Sequence, residues 1–256
     1  MNTPITYEFP LNERIRVFIR IEQLFIQLHH FLAGPTVLDK RAAIKTLLDI
    51  LMIFSRNDLK SEILKEIERH SKIFSLMADS ANVDNNKLQK ILSQLNAMSK
   101  KLYASNGKIG INVMASDLFQ SISQRSAIPG GTCSFDLPAF HYWLEKDSQN
   151  QLNDLEQWVK PFSDIQIAID TLLDFIRNSG HTTQEVAEAG FFQLALDSNQ
   201  PYQLLRISLA HNLPYFAETS GGKHRFTIRM MNPSSDNNRP SQTTDNVPFQ
   251  LNCCVF

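Results

Sequence analysis

Cysteine is scarce in this sequence, with Cys133, Cys253 and Cys254 the only three among 256 residues. A small odd number cannot supply a disulfide framework, and the adjacent Cys253 and Cys254 are badly placed to bridge one another. A reducing compartment is the expectation. No run of 18 apolar residues occurs, so no membrane-spanning helix and no membrane partner are expected. The N-terminal MNTPITYEFPLNERIRVF lacks a basic stretch followed by an apolar one, which points to a cytoplasmic chain. Charge of one sign is also missing: 25 Lys+Arg against 26 Asp+Glu leave a net −1, without the basic surplus usual in nucleic-acid-binding domains. The spacings that hold a metal or a nucleotide are missing too. There is no H-E-x-x-H, no C-x-x-C and no G-x-G-x-x-G, and GKIG at 107–110 lacks the spacing of a phosphate loop. No metal and no cofactor are expected.

What is present is a hydrophobic content of 43%, enough for a sizeable core, and a segregation of charge along the chain. Residues 1–135 carry 17 basic against 12 acidic side chains, residues 136–197 carry 3 against 11, and residues 198–256 carry 5 against 3. A chain neutral in total but blocky in sequence can present a local basic field to an acidic partner.

Helical periodicity dominates from Leu11 to about Ala104. Ile15, Phe18, Phe25 and Leu28 step by three or more along a first helix; Ile44, Leu47, Leu48 and Leu51 follow Pro35 and a cap at Asp39. Leu59 to Met77, led by Asp58, and Leu88 to Leu102 give a third and a fourth. Short turn-rich connections at 33–36, 55–58 and 79–86 imply antiparallel neighbours in a bundle. A fifth helix is expected around Met114 to Gln124, ahead of the Pro129-Gly130-Gly131 turn.

Beyond residue 131 the alternation of Cys133, Phe135 and Leu137 reads as a strand ending near Pro138. A long helical run from Leu152 to Ile176 follows, which Pro161 can divide. Thr183 to Leu196 reads as one or two strands, and Leu204–Leu209, Arg225–Met230 and Phe249–Val255 alternate with period two. The polar segment 232–246 reads as a mobile hairpin loop, and Ile5–Phe9 as a strand joining this sheet.

The expected fold is therefore α+β: an N-terminal helical bundle domain packed with a C-terminal antiparallel β-sheet domain that also takes the N-terminal strand and carries one long helix. The expected division is 11–127 for the helical domain, with 1–10 and 128–256 forming the β-rich one.

Catalysis is not expected. Cys133 and His141 are the nearest nucleophile and base in sequence, and no third group suggests itself to orient the base. Arginine placement is more informative. Arg16 and Arg20 lie four apart on one helical face, and Arg225 and Arg229 lie four apart on a strand, about 13 Å along one face. That face is opposite Phe226, Ile228 and Met230, and the planar guanidinium fork suits a carboxylate. A nucleic-acid-binding protein using the N-terminal basic surplus is the alternative, although most aromatic residues fall on core periods.

The segments PLNERIRVFIRIE (10–22), LLDILMIFSR (47–56), SEILKEIER (61–69), RSAIPGGTCSFDLPAFHYWL (125–144), LLDFIRNS (172–179), KHRFTIRM (223–230) and FQLNCC (249–254) together resemble the ZapD family of bacterial cytokinesis proteins. The resemblance spans nearly the whole chain, and its P-G-G-x-C-S-F-D-L-P block is long and ordered. It implies a non-enzymatic homodimer that binds the C-terminal tail of FtsZ, the tubulin-like GTPase, crosslinks its filaments and is recruited to the mid-cell division ring. The tail-binding residues it implies are Arg20, Arg56, Arg125, His141, Arg225 and Arg229. Two departures accompany it: Asp117 stands where a basic residue is expected, and PYFAETSGG (214–222) replaces a tyrosine-proline-rich stretch.

Overall fold

A computed structural model of the chain describes residues 3–78, 84–105, 107, 109–233 and 239–256. Its fold is α+β, with the helices in the N-terminal half and after it, and antiparallel sheets toward the C-terminus. By contact the chain divides into two compact units, Arg20–Asp170 and Met1–Ile19 with Thr171–Phe256. This contact division differs from 11–127 and 1–10 plus 128–256 in two places: residues 11–19 fall with the sheets, and residues 128–170 fall in the helical unit.

In the helical unit, amphipathic periodicity dictates the elements. Helix α1 (Glu13–Ala33) contributes Ile21, Phe25 and Leu28 to the core. Helix α2 (Val37–Arg56) buries Ala43, Ile44, Leu47, Leu48, Ile50 and Leu51. Its cap is Thr36 rather than Asp39. The Thr36 hydroxyl accepts from the Asp39 amide at 3.1 Å and the Asp39 carboxylate accepts from the Thr36 amide at 2.9 Å, a reciprocal capping box. The Thr36 hydroxyl, donating to the Asp39 carboxylate at 2.6 Å, and after it the Thr36 amide hold the Asp39 carboxyl below its ordinary pKa.

Helix α3 (Leu59–Met77), capped by Asp58, packs on α4 (Asn85–Ala104), capped by Asp84. Within α3, Glu66 is buried and paired with Arg69 and lies 3.8 Å from the wholly buried ring of His70. The turn read at 79–86 falls mostly outside the described residues. The expected fifth helix is two, α5 (Ile111–Met114) and α6 (Asp117–Arg125), separated at Ala115 and Ser116.

The strand expected at Cys133–Leu137 is absent among the described residues. Residues 127–136 instead form consecutive turns, with Gly131 donating to Ile128 and Leu137 to Cys133. Pro138 does not end a strand; it starts helix α7 (Pro138–Leu144), where its missing amide donor costs nothing. The long run then breaks at Pro161, as the sequence allows: α8 (Ser148–Val159), a short 3-10 turn at Lys160–Phe162, and α9 (Ser163–Arg177).

Among the described residues, the β unit forms two sheets instead of one. The first has the order β1 (Ile5–Pro10), β4 (Tyr202–Leu209), β8 (Val247–Val255), β2 (Thr182–Ala187), all antiparallel. The second has the order β3 (Phe191–Ala195), β6 (Arg225–Asn232), β5 (Phe216–Gly221), with β7 (Ser241–Gln242) pairing the end of β6. Part of the polar segment 232–246 is thus a short strand, while 234–238 lie outside the described residues.

A single hydrophobic core joins the inner faces of the two sheets. Leu205, Ile207, Leu209, Phe249 and Leu251 come from the first, and Phe226, Ile228 and Met230 from the second. The outer face of the first sheet is locked by Glu8, which accepts from Arg177 at 2.8 Å through both carboxylate oxygens and from Arg206 at 3.1 Å. Burial drives the thiol pKa of Cys253 up to about 11 and of Cys254 up to about 12, so both are protonated strand residues at neutral pH.

Candidate peptide-binding surface

Strand β6 is the central strand of its sheet, and period two decides what each of its side chains does. Phe226, Ile228 and Met230 are fully buried on the inner face, which leaves Arg225, Thr227 and Arg229 to the outer one. Both arginines are exposed, and neither makes an ion pair among the described residues. Register supplies their neighbours. Arg229 stands between Phe191 on β3 and Glu218 on β5; Thr227 stands between Gln193 and Ser220, whose hydroxyl lies 2.8 Å from that of Thr227; Arg225 stands beside Ala195. Phe191 is 40% exposed. The outcome is a sheet face with two unengaged guanidiniums, one exposed aromatic ring and one carboxylate, able to receive an anionic chain that also carries apolar groups.

The other four expected residues lie in the helical unit, each on its own helix. Arg20 is exposed on α1 and Arg56 is exposed in the last turn of α2, where a cation also meets the negative end of the helix dipole. Neither makes an ion pair among the described residues. Arg56 borders a cavity of about 390 Å³ with Asp58, Lys60 and Ile165. Lys60 is committed to the Ser105 carbonyl at 2.6 Å.

Arg125, in the last turn of α6, donates to Asp136 at 3.0 Å and so ties its helix to the turns that lead into α7. His141 is exposed on α7, its Nδ1 3.9 Å from the exposed Glu145 carboxylate, too long for a hydrogen bond. Arg225 and Arg229 are therefore the pair brought onto one face. Arg125 differs from the rest in being already held by a carboxylate.

The P-G-G block has its own support. Gly130 adopts a left-handed φ of 71°, and a Cβ on Gly131 would lie 2.7 Å from the Arg125 carbonyl, so the turn requires glycine at both positions. Arg41 from α2 donates to the Thr132 carbonyl and hydroxyl at 3.2 and 3.1 Å and lies 5.1 Å over the Phe140 ring. This leaves Phe135, 82% exposed, and Cys133 at the surface. No group of three or more His, Cys, Asp or Glu that could hold a metal occurs among the described residues.

Residues 19–229 match the family model for ZapD, described as a cell division protein. The chain belongs to the ZapD family. A ZapD of Methylococcus capsulatus is 46% identical over 256 residues, covering the whole of both chains. ZapD of Chromobacterium violaceum is 34% identical over 252 residues, 98% of this chain and all of that one, and ZapD of Nitrosomonas europaea is 34% identical over 252 residues, 98% and 95%. Each of these relatives is named a cell division protein, and membership assigns this chain a role in cell division. The ZapD match reaches Arg229 and so includes both β6 arginines. No helix among the described residues is long and apolar enough to cross a membrane.

Phe191 and Glu218 were not singled out by sequence reasoning. Alternation in FFQLA could have placed Phe191 on an outer face, but its position beside Arg229 depends on strand register, which no local pattern carries.

Proposed function

We propose that this ZapD-family chain is a non-enzymatic adaptor that binds the C-terminal tail of FtsZ and, as a homodimer, bundles FtsZ filaments at the mid-cell division ring. The observation that carries the reading is the outer face of β6, where Arg225 and Arg229 project without a protein counter-ion among the described residues beside exposed Phe191. The helical unit is proposed to supply tail contacts of its own through Arg20, Arg56 and His141, with Arg125 contributing what its pairing to Asp136 leaves available.

The mechanism is bivalency. One chain has one β6 face, so crosslinking needs two copies. Tethering two sites converts the second binding event into an intramolecular one, and modest single-site affinity then suffices to hold two filaments together. No group on the chain has to make or break a covalent bond.

The test is a titration of fluorescent FtsZ tail peptide into the full chain, combined with sedimentation equilibrium. A dimer that takes up two peptides is expected. A chain that sediments as a monomer while it bundles filaments refutes the bivalent mechanism, and a chain that ignores the peptide refutes the partner.

A further inference from the structure

Sheet edges are hazardous because they leave backbone donors and acceptors open to pairing, and proteins commonly blunt them with charge or proline. Besides the two-residue β7, the described β unit has four edge strands, and three of them follow that rule: β1 carries Glu8 and Pro10, β2 carries Glu185, and β5 carries Glu218. Strand β3 does not. Its sequence is FFQLA, and four of its five residues are exposed, including Phe191 at 40% and Leu194 at 39%.

Hydrogen-bond parity shows which backbone groups it offers. Met230 donates to the Gly190 carbonyl and Leu196 donates to the His224 carbonyl, which fixes 190, 192, 194 and 196 as the residues bonded to β6. Gln193 and Ala195 therefore turn their N–H and C=O outward, and among the described residues neither makes a backbone hydrogen bond there. The same two residues put their side chains on the arginine face, opposite Thr227 and Arg225.

We propose that the β3 edge accepts an extended acidic peptide as an added strand of this sheet. The proposal rests on the tail-binding reading above and specifies its mode. Residues of the added strand opposite Gln193 and Ala195 would exchange backbone hydrogen bonds with them and direct their side chains to the outer face. There they lie about 10 Å from the β6 backbone, two strand spacings, a gap that an arginine and a carboxylate side chain together cross. The intervening residues face the other way, beside the half-exposed Leu194, and so favour apolar groups. Glu218 opposes the same acidic chain at the β5 edge, which makes β3 the favourable side of the arginines.

The experiment uses the full chain and FtsZ tail peptides carrying single backbone N-methyl groups. Methylation at alternate residues is expected to weaken binding about tenfold or more, while methylation at the residues between leaves it unchanged. Hydrogen exchange should show the Gln193 and Ala195 amides protected by unmodified peptide, and Ala195→Pro should lower affinity by a similar factor. Equal affinity for all methylated peptides with both amides unprotected overturns strand addition, even where Arg229→Glu abolishes binding and so preserves the arginine site. Protection without peptide that disappears on dilution overturns it in favour of a second copy of the chain. No binding of unmodified peptide removes the tail-binding reading and this mode with it.

Discussion

Replacing Glu8 by leucine should cost the β unit about 3 kcal/mol, more than any other single surface-facing carboxylate in it. Glu8 is 18% exposed and serves two guanidiniums: Arg177, 22% exposed, through two hydrogen bonds of 2.8 Å, and Arg206, 32% exposed, through one of 3.1 Å. Breaking a buried charge pair from one side costs about 3–5 kcal/mol, because the remaining charge stays desolvated; the partial exposure here sets the lower end of that range. Truncating Arg177 to methionine leaves Glu8 one partner and should cost about 2 kcal/mol, and Arg206→Met, which removes the longer and more exposed contact, about 1 kcal/mol. Urea unfolding followed by circular dichroism measures each, with the slope against urea held constant as a check that only stability has changed. A Glu8→Leu loss below about 1 kcal/mol, or an Arg206 effect larger than the Arg177 effect, refutes this reading of the fork.

Acid should destabilise the helical unit through His70, whose burial is the first cause, and neighbouring Arg69 the second, of a pKa lowered to about 4. The folded state then binds this proton less readily than the unfolded one, so the contribution is complete above about pH 6.5 and is lost as pH falls toward 4, at most on the order of 3 kcal/mol. His70→Gln should flatten the stability profile across that window, and an unchanged slope contradicts the assignment. Tail binding should also weaken as salt rises, since the screening length shortens to about 8 Å at physiological ionic strength, while the apolar share of the contact persists. Peptide titration from low to high salt tests this, and a flat affinity would make the arginines bystanders.

How much of this the sequence disclosed depends on the range over which each feature is determined. Helices α1 to α4 were legible because period and caps are local, and the one displaced cap, Thr36 for Asp39, arose because both residues belong to the same capping box. The Cys133–Leu137 segment is not a strand because alternation over five residues is shared by a series of turns, here held by Gly131 within the turns and by Arg41 and Arg125 from the helices α2 and α6. Pro138 can end a strand or start a helix, and the residues on its C-terminal side make it a helix start.

Two sheets could not be told from one, because each strand alternates alike whichever sheet it joins. For the candidate site, the shared face of Arg225 and Arg229 followed from period two alone. Their neighbours Phe191 and Glu218, 38 and 11 residues away from Arg229, required the register of two strand pairs.

The central claim is that the β6 face captures the FtsZ tail, and the most direct test is co-sedimentation of FtsZ filaments with the wild-type chain and with the Arg225→Glu, Arg229→Glu double variant. Both side chains point away from the core, so circular dichroism should not distinguish the two proteins. Reversing both charges replaces attraction by repulsion and should weaken tail binding by about 2–5 kcal/mol. The account predicts bundles with the wild type and none with the variant. A folded variant that bundles filaments and binds the tail as well as the wild type would contradict it.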